Sequence, residues 1–200
     1  MEDGIREQLR MLLGRNEKAS AGIVDSQSVK TTERGGVKGY DGAKKIKGRK
    51  RHILVDTEGL LLKVKTSGAD INDREGMLLL LANKDEKIQA IKKIWADTGY
   101  QGNELKQKLA RYSIDLEIVK RPRAAIWVPA DVDIAAINKY LDSFKGFQVQ
   151  PRRWVVERTL GWLNRYRRLS KDYEYRCDTS ESMIYLSLTR TMLNRLIKIC

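Results

Sequence analysis

Arg51-His52-Ile53-Leu54-Val55-Asp56, then Thr57-Glu58-Gly59, then Leu60-Leu61-Leu62-Lys63-Val64-Lys65-Thr66 is the stretch that decides the fold class. Two runs rich in β-branched and aliphatic residues flank a short glycine-containing turn, the pattern of a β-hairpin. Upstream, Gly22 to Val29 reads as a further strand, joined to the hairpin by Thr31 to Arg49, a Gly- and Lys-rich hairpin or flap without helical period. Residues 5–14 read as the end of a helix stopped by Gly14. Downstream, Asn72 to Ala82 predicts a helix, with Asn72 as N-cap and Glu75 three residues later. A strand within Ile88 to Ala96, a helix over Asn103 to Tyr112 and a strand over Leu116 to Lys120 follow. Arg121 to Gln150 is irregular, with a helix near Asp133 to Phe144, before helices over Arg152 to Leu169 and from Asp178 to about Ile197. Three strands joined without helices imply an antiparallel unit, and two strands alternating with helices imply parallel additions. The expectation is an α/β fold with a mixed sheet flanked by helices.

Two hundred residues, 42% hydrophobic, with four Trp and eight Tyr, suffice for one domain with a core. Lys and Arg number 39 against 26 Asp and Glu, a formal charge of +13. That surplus is clustered, which favours a polyanionic partner. The longest apolar run, Met77 to Ala82, is far short of a membrane span, and the N-terminus has no apolar signal segment. Cys177 and Cys200 lack ligand spacing and read as reduced thiols of a cytoplasmic protein. His52 has no His or Cys companion for zinc and reads as a strand or DNA-facing residue.

Within this basic chain, Asp25 and Asp97 end apolar runs, Ile23-Val24 and Trp95-Ala96. On the later helix, Arg153, Glu157, Gly161, Asn164 and Arg168 share one side. Val155, Thr159, Trp162, Tyr166 and Leu169 form the expected core side, with Val156 and Leu163 at its edge. Gly161 leaves the space one turn from Glu157 open. Taken singly, each acid is as well explained as a cap, a turn residue or an i,i+4 ion pair with Arg153. Two carboxylates at ~4 Å repel by about 4 kcal/mol at an effective dielectric of 20, so their convergence calls for a cation. Hard oxygen donors beside substrate phosphates suit Mg²⁺ or Mn²⁺. The segments Lys30 to Arg51 and Arg152 to Arg176 concentrate basic residues where phosphates would lie. Tyr40 and Trp127 are candidates for stacking on an unpaired base.

Several motifs appear in order: Asp25-Ser26-Gln27-Ser28-Val29-Lys30-Thr31-Thr32, Gly39-Tyr40-Asp41 and Lys47-Gly48-Arg49-Lys50-Arg51-His52. Next come Ala96-Asp97-Thr98-Gly99-Tyr100-Gln101-Gly102 and Pro151-Arg152-Arg153-Trp154-Val155-Val156-Glu157-Arg158-Thr159, then Trp162-Leu163 and Arg167-Arg168-Leu169-Ser170-Lys171-Asp172-Tyr173-Glu174. Over about residues 20–197 the chain resembles DDE-type insertion-sequence transposases, more narrowly the insertion-sequence-five family. The resemblance implies an RNase H-like fold and a catalytic, metal-binding triad of Asp25, Asp97 and Glu157, with two Mg²⁺ or Mn²⁺ ions and Asp25 bridging them. It implies cleavage at insertion-sequence ends and strand transfer into target DNA, with Arg153 positioning DNA. Together with the basic clusters, it nominates Lys30, Lys38, Lys44, Lys45, Lys47, Arg49, Lys50, Arg51, Arg153, Arg165 and Arg168 as DNA-binding residues. Where the family often carries a cation seven residues after the glutamate, this chain has Asn164, followed by Arg165.

The implied organisation is a remnant of an upstream helical segment over residues 1–18 and the catalytic domain over 19–200. Residues 123–145 are an expected contact region for the transposon end. The implied partners are double-stranded DNA, further copies of the chain assembled on it and an upstream-frame product, in the bacterial cytoplasm near the nucleoid. Two alternatives stand beside this reading: a transposition-incompetent remnant that binds DNA, and a structure-selective nuclease on the same fold.

Overall fold

A computed structural model of the protein describes residues 2–33, 36–82, 86–120 and 151–199. Three strands make the expected antiparallel unit: β1 (Ala21–Lys30), β3 (Ile46–Asp56) and β4 (Leu61–Gly68). β1 pairs antiparallel with β3 from Gly22↔Asp56 to Lys30↔Gly48, and β3 pairs antiparallel with β4. β5 (Lys93–Ala96) lies parallel to the other side of β1, and β6 (Asp115–Ile118) lies parallel to β5. The short β2 (Gly39–Asp41) extends the edge of β3, so the flap is in part an ordered hairpin. This mixed sheet, flanked by helices, is consistent with an RNase H-like fold.

Both faces of the sheet are covered, which is why its strands are apolar runs rather than strict alternations. The two-residue period sorts them. Val24, Leu54 and Leu62 face one core with Met77, Leu80 and Leu81 of α2 (Asp73–Leu81) and Leu105 and Leu109 of α4 (Asn103–Ala110). A short α3 (Glu86–Gln89) precedes β5. Ile23, Ile53, Val55, Leu61 and Val64 face the other core, beneath α5 (Pro151–Asn164) and α6 (Cys177–Ile199). α1 (Glu2–Leu12) docks through Leu9 against Leu60 and Met192, and Arg10 forms a buried ion pair with Asp56. Gly14 takes a left-handed φ of +69° and ends that region as expected.

α2 begins at the expected cap: the Asn72 side chain accepts from the Glu75 N–H at 2.9 Å. Its fourth residue, Gly76, lies on His52. A Cβ at Gly76 would stand 2.0 Å from His52 Nδ1, and the ring is held by Ser67 Oγ at 2.9 Å. His52 is 0% exposed, and burial holds its pKa down at about 4. It is therefore a neutral strand residue beneath a helix and does not face DNA. Gly76→Ala should destabilise the protein although Ala is the better helix former. Overpacking costs about 1–3 kcal/mol, against a propensity gain of ~1 kcal/mol. Urea unfolding of the variant checks the sign.

α5 ends at Asn164 rather than Leu169, because the chain turns through Arg165 and Tyr166 into a 3₁₀ turn over Arg167–Leu169. Its buried stripe is Val156, Thr159, Leu160 and Leu163, rotated from the expected core side. Trp162 is only half-buried, with the Arg158 guanidinium 4.9 Å from its ring centre. Thr159 Oγ1 donates to Gly59 O at 3.0 Å, and Arg158 to Glu58 O at 3.1 Å, locking the helix onto the β3–β4 turn. α6 starts at Cys177, so Asp178 lies in its first turn instead of capping it. The expected helix over 133–144, Trp127 and the region 123–145 lie outside the described residues. Among the described residues, no helix is long and apolar enough to cross a membrane.

Candidate active site

Asp25 sits in mid β1 and Asp97 directly after β5. The parallel register runs Ala21↔Lys93, Gly22↔Ile94 and Ile23↔Trp95. Continued by two residues, it sets Asp25 level with Asp97 on neighbouring strands. Asp97 caps a 3₁₀ turn over Thr98–Tyr100, its Oδ1 accepting from the Gly99 N–H at 2.8 Å. Asp25 Oδ1 accepts from the Ser26 N–H at 2.7 Å. Burial, and after it the charge of Asp97, pushes the Asp25 carboxyl up to about 6, while the Ser26 N–H, Arg153 and Lys44 act the other way.

Glu157 reaches the same place from α5, through Arg153. The Arg153 guanidinium is 3.0 Å from Glu157 Oε1 and 3.8 Å from Asp97 Oδ2, and the residue is 9% exposed. One cation thus ties the second and third carboxylates together. α5 is aimed there by the packing already described and by Arg152, whose guanidinium lies 4.5 Å from the Trp95 ring centre on β5. Gly161 has open space where a Cβ would be. Asn164 Oδ1 accepts from Gln27 Nε2 at 3.1 Å, linking the end of α5 to β1.

The donor set suits a hard divalent cation: three carboxylates, of which Asp25 has its pKa raised chiefly by burial. Among the described residues, no three ligand side chains are yet gathered closely enough to hold an ion. Glu157 is drawn to Arg153 instead.

The nominated DNA-binding residues separate into two groups. Lys30, Lys38, Lys44, Lys45, Lys47 and Arg165 are exposed, and Lys44 Nζ lies 3.3 Å from Ser26 O, beside Asp25. Arg168 is exposed but pairs with Glu174 at 2.9 Å. Arg49, Lys50 and Arg51 are corrections. Arg49 and Arg51 are 0% exposed. Arg49 spends its guanidinium on Asp172 and on the carbonyls of Val37, Glu174 and Tyr175, and Arg51 donates to Leu169 O at 2.8 Å. Lys50 is buried between Asp41 and Asp73. β3 is the central strand of the antiparallel unit, so cations on it are enclosed by the segments packed on either face. These three hold the fold together and are not available to phosphates.

Three neighbours of the acids escaped sequence reasoning. Ser26 Oγ donates to Asp73 Oδ1 at 2.6 Å. Tyr100 is 0% exposed, and burial followed by the charges of Asp73, Asp25 and Asp97 keeps the phenol protonated, against a smaller opposing effect of Ser26. Asp73 follows a helix cap, and that position by itself explained it.

A family model described as "Transposase DDE domain" matches residues 16–192. The chain is similar to a Burkholderia cepacia protein described as "Putative transposase for insertion sequence element IS402", 28% identical over 146 residues, 70% of this chain and 60% of the relative. The chain thus spans less than two thirds of that relative's length. The match covers β1, β5 and α5, the elements that carry Asp25, Asp97 and Glu157, and the chain belongs to the family of transposases with a DDE domain.

Proposed function

We propose that this transposase-family chain cuts DNA at the ends of an insertion sequence and joins the freed ends to target DNA. The observation that carries the reading is the Arg153 bridge between Asp97 and Glu157, beside an Asp25 set level with Asp97. Asp25, Asp97 and Glu157 would hold two Mg²⁺ or Mn²⁺ ions. When bound, such ions activate a water and stabilise the leaving 3′ oxygen. Arg153, between Asp97 and Glu157, is placed to face a phosphate of the DNA. Lys30, Lys38, Lys44, Lys45, Lys47 and Arg165 line the approach as exposed cations, with Lys44 nearest the scissile position. The freed 3′-hydroxyl attacks target DNA in a second in-line displacement, with no covalent bond between protein and DNA.

The substrate is double-stranded DNA, and two ends are paired by further copies of the chain. Residues 19–200 form the catalytic domain, with α1 packed against it. The site of action is the nucleoid of the bacterial cytoplasm.

The test uses purified protein and a duplex carrying one terminal inverted repeat of its element. Nicking should appear with Mn²⁺ and vanish in EDTA, and strand joining should follow nicking. Nicking without joining favours the nuclease alternative, and binding without nicking favours the remnant. With ~6–10 phosphate contacts, affinity should fall ~10³–10⁵-fold between 50 and 200 mM salt. A flat salt profile in a gel-shift titration would remove the exposed lysines from the DNA path.

A further inference from the structure

Asp73, at the start of α2, is the fourth acid at this centre. Its Oδ1 accepts from Ser26 Oγ at 2.6 Å and lies 3.4 Å from Lys50 Nζ. Its Oδ2 turns towards the Asp97 turn. A Cβ placed on Gly99 would be 3.0 Å from Asp73 Oδ2 and 3.0 Å from Asp97 Oδ1, so these two oxygens lie within about 6 Å of each other. Ser26 holds both sides of the arrangement: its N–H donates to Asp25 and its hydroxyl to Asp73. The Tyr100 hydroxyl is an independent observation. It is fully buried beside Ser26, where it feels Asp73, Asp25 and Asp97 together. A buried phenol set among three acids marks a place arranged around negative charge rather than a solvated helix end.

We infer that Asp73 is a positioning residue of the metal centre, acting through Ser26 on Asp25 and by its charge on Asp97. It does not ligate the cation. Its carboxylate anchors Ser26 by the hydroxyl, the Ser26 backbone N–H in turn holds Asp25, and its charge adds negative potential behind both aspartates. This rests on the proposed metal-dependent cleavage. Groups that orient metal ligands from behind typically change metal affinity or activity 10–100-fold when replaced.

The test compares Asp73→Asn, Ser26→Ala, Ser26→Thr and Asp25→Asn in the full chain. Two readouts are taken against Mn²⁺ concentration: nicking of the end duplex, and the rise in melting temperature. Asp73→Asn and Ser26→Ala should each move both midpoints to about 10–100-fold higher Mn²⁺, with a much smaller loss of rate at saturation. Ser26→Thr, which keeps the hydroxyl, should restore the wild-type midpoints. Unchanged midpoints in both Asp73→Asn and Ser26→Ala would overturn the inference. So would a rate lowered equally at every Mn²⁺ concentration together with a lower metal-free melting temperature, which is the mark of a merely structural role. Asp25→Asn separates the two levels: if it nicks like wild type, the cleavage reading itself fails. If it is inactive while the Asp73 and Ser26 midpoints stay put, only the Asp73 inference fails.

Discussion

Asp25→Asn is expected to abolish nicking and strand transfer while making the metal-free protein more stable. The first effect follows from removing a ligand whose ions contribute several kcal/mol at the transition state, about 10³-fold or more in rate. The second follows from burial. The Asp25 carboxyl is raised from 3.8 to about 6, chiefly by its enclosure and further by Asp97. Between about pH 4 and 6 the folded state binds more protons than the unfolded state, so stability falls as pH rises through that window. Above it, the folded protein carries a penalty of up to about 3 kcal/mol at 1.36 kcal/mol per pKa unit. Asn has no charge to bury and escapes it. Thermal unfolding in EDTA should show the variant more stable than wild type at pH 8, with the gain gone at pH 4. Equal melting at pH 8 would mean that Asp25 is not under strain. DNA binding should survive the change, since the exposed lysines are untouched.

Arg49→Ala is expected to cost most of the fold's margin and little specific DNA contact. Arg49 and Asp172 form a buried pair at 3.2 Å, with side chains 0% and 1% exposed. Asp172 also accepts from Ser180 Oγ at 2.7 Å and from the Glu174 N–H at 3.1 Å. The guanidinium therefore clips the segment between the 3₁₀ turn and α6 to β3. Removing one partner of a buried pair leaves the other charge uncompensated, at about 3–5 kcal/mol. For a chain of this size that is roughly 6–20 °C in melting temperature. Arg49→Lys should recover little, because an ammonium cannot reproduce the planar fork that reaches several carbonyls. Had Arg49 contacted DNA, Lys would retain most of the affinity and the melting point would not move. Calorimetry beside a gel-shift titration distinguishes the two outcomes.

These two residues show where sequence reading works and where it stops. Asp25 stood out as a candidate because its signal is local: an apolar run ending in an acid, within a long motif. Arg49 was misassigned because a cation in a Gly- and Lys-rich stretch looks solvent-facing until its strand acquires neighbours on both faces. The same limit applies to α5. Helical periodicity put Glu157 and Gly161 away from the core, but the core stripe was rotated onto Val156, Leu160 and Leu163. Trp162 and Tyr166 have polar or cationic partners that a periodicity count does not register: Arg158 beside the indole, and Ser187 O at 2.8 Å from the Tyr166 hydroxyl.

By itself, the sequence determined the mixed sheet and the helices that flank it, because apolar period, caps and turn residues act over a few neighbours. Only the tertiary structure decided which charges meet. Arg153 bridging Asp97 and Glu157, Asp73 reaching Ser26, and Arg49 enclosed with Asp172 join residues far apart in the chain. A charge's role depends on what surrounds it and how much water is excluded, and packing of distant segments settles both.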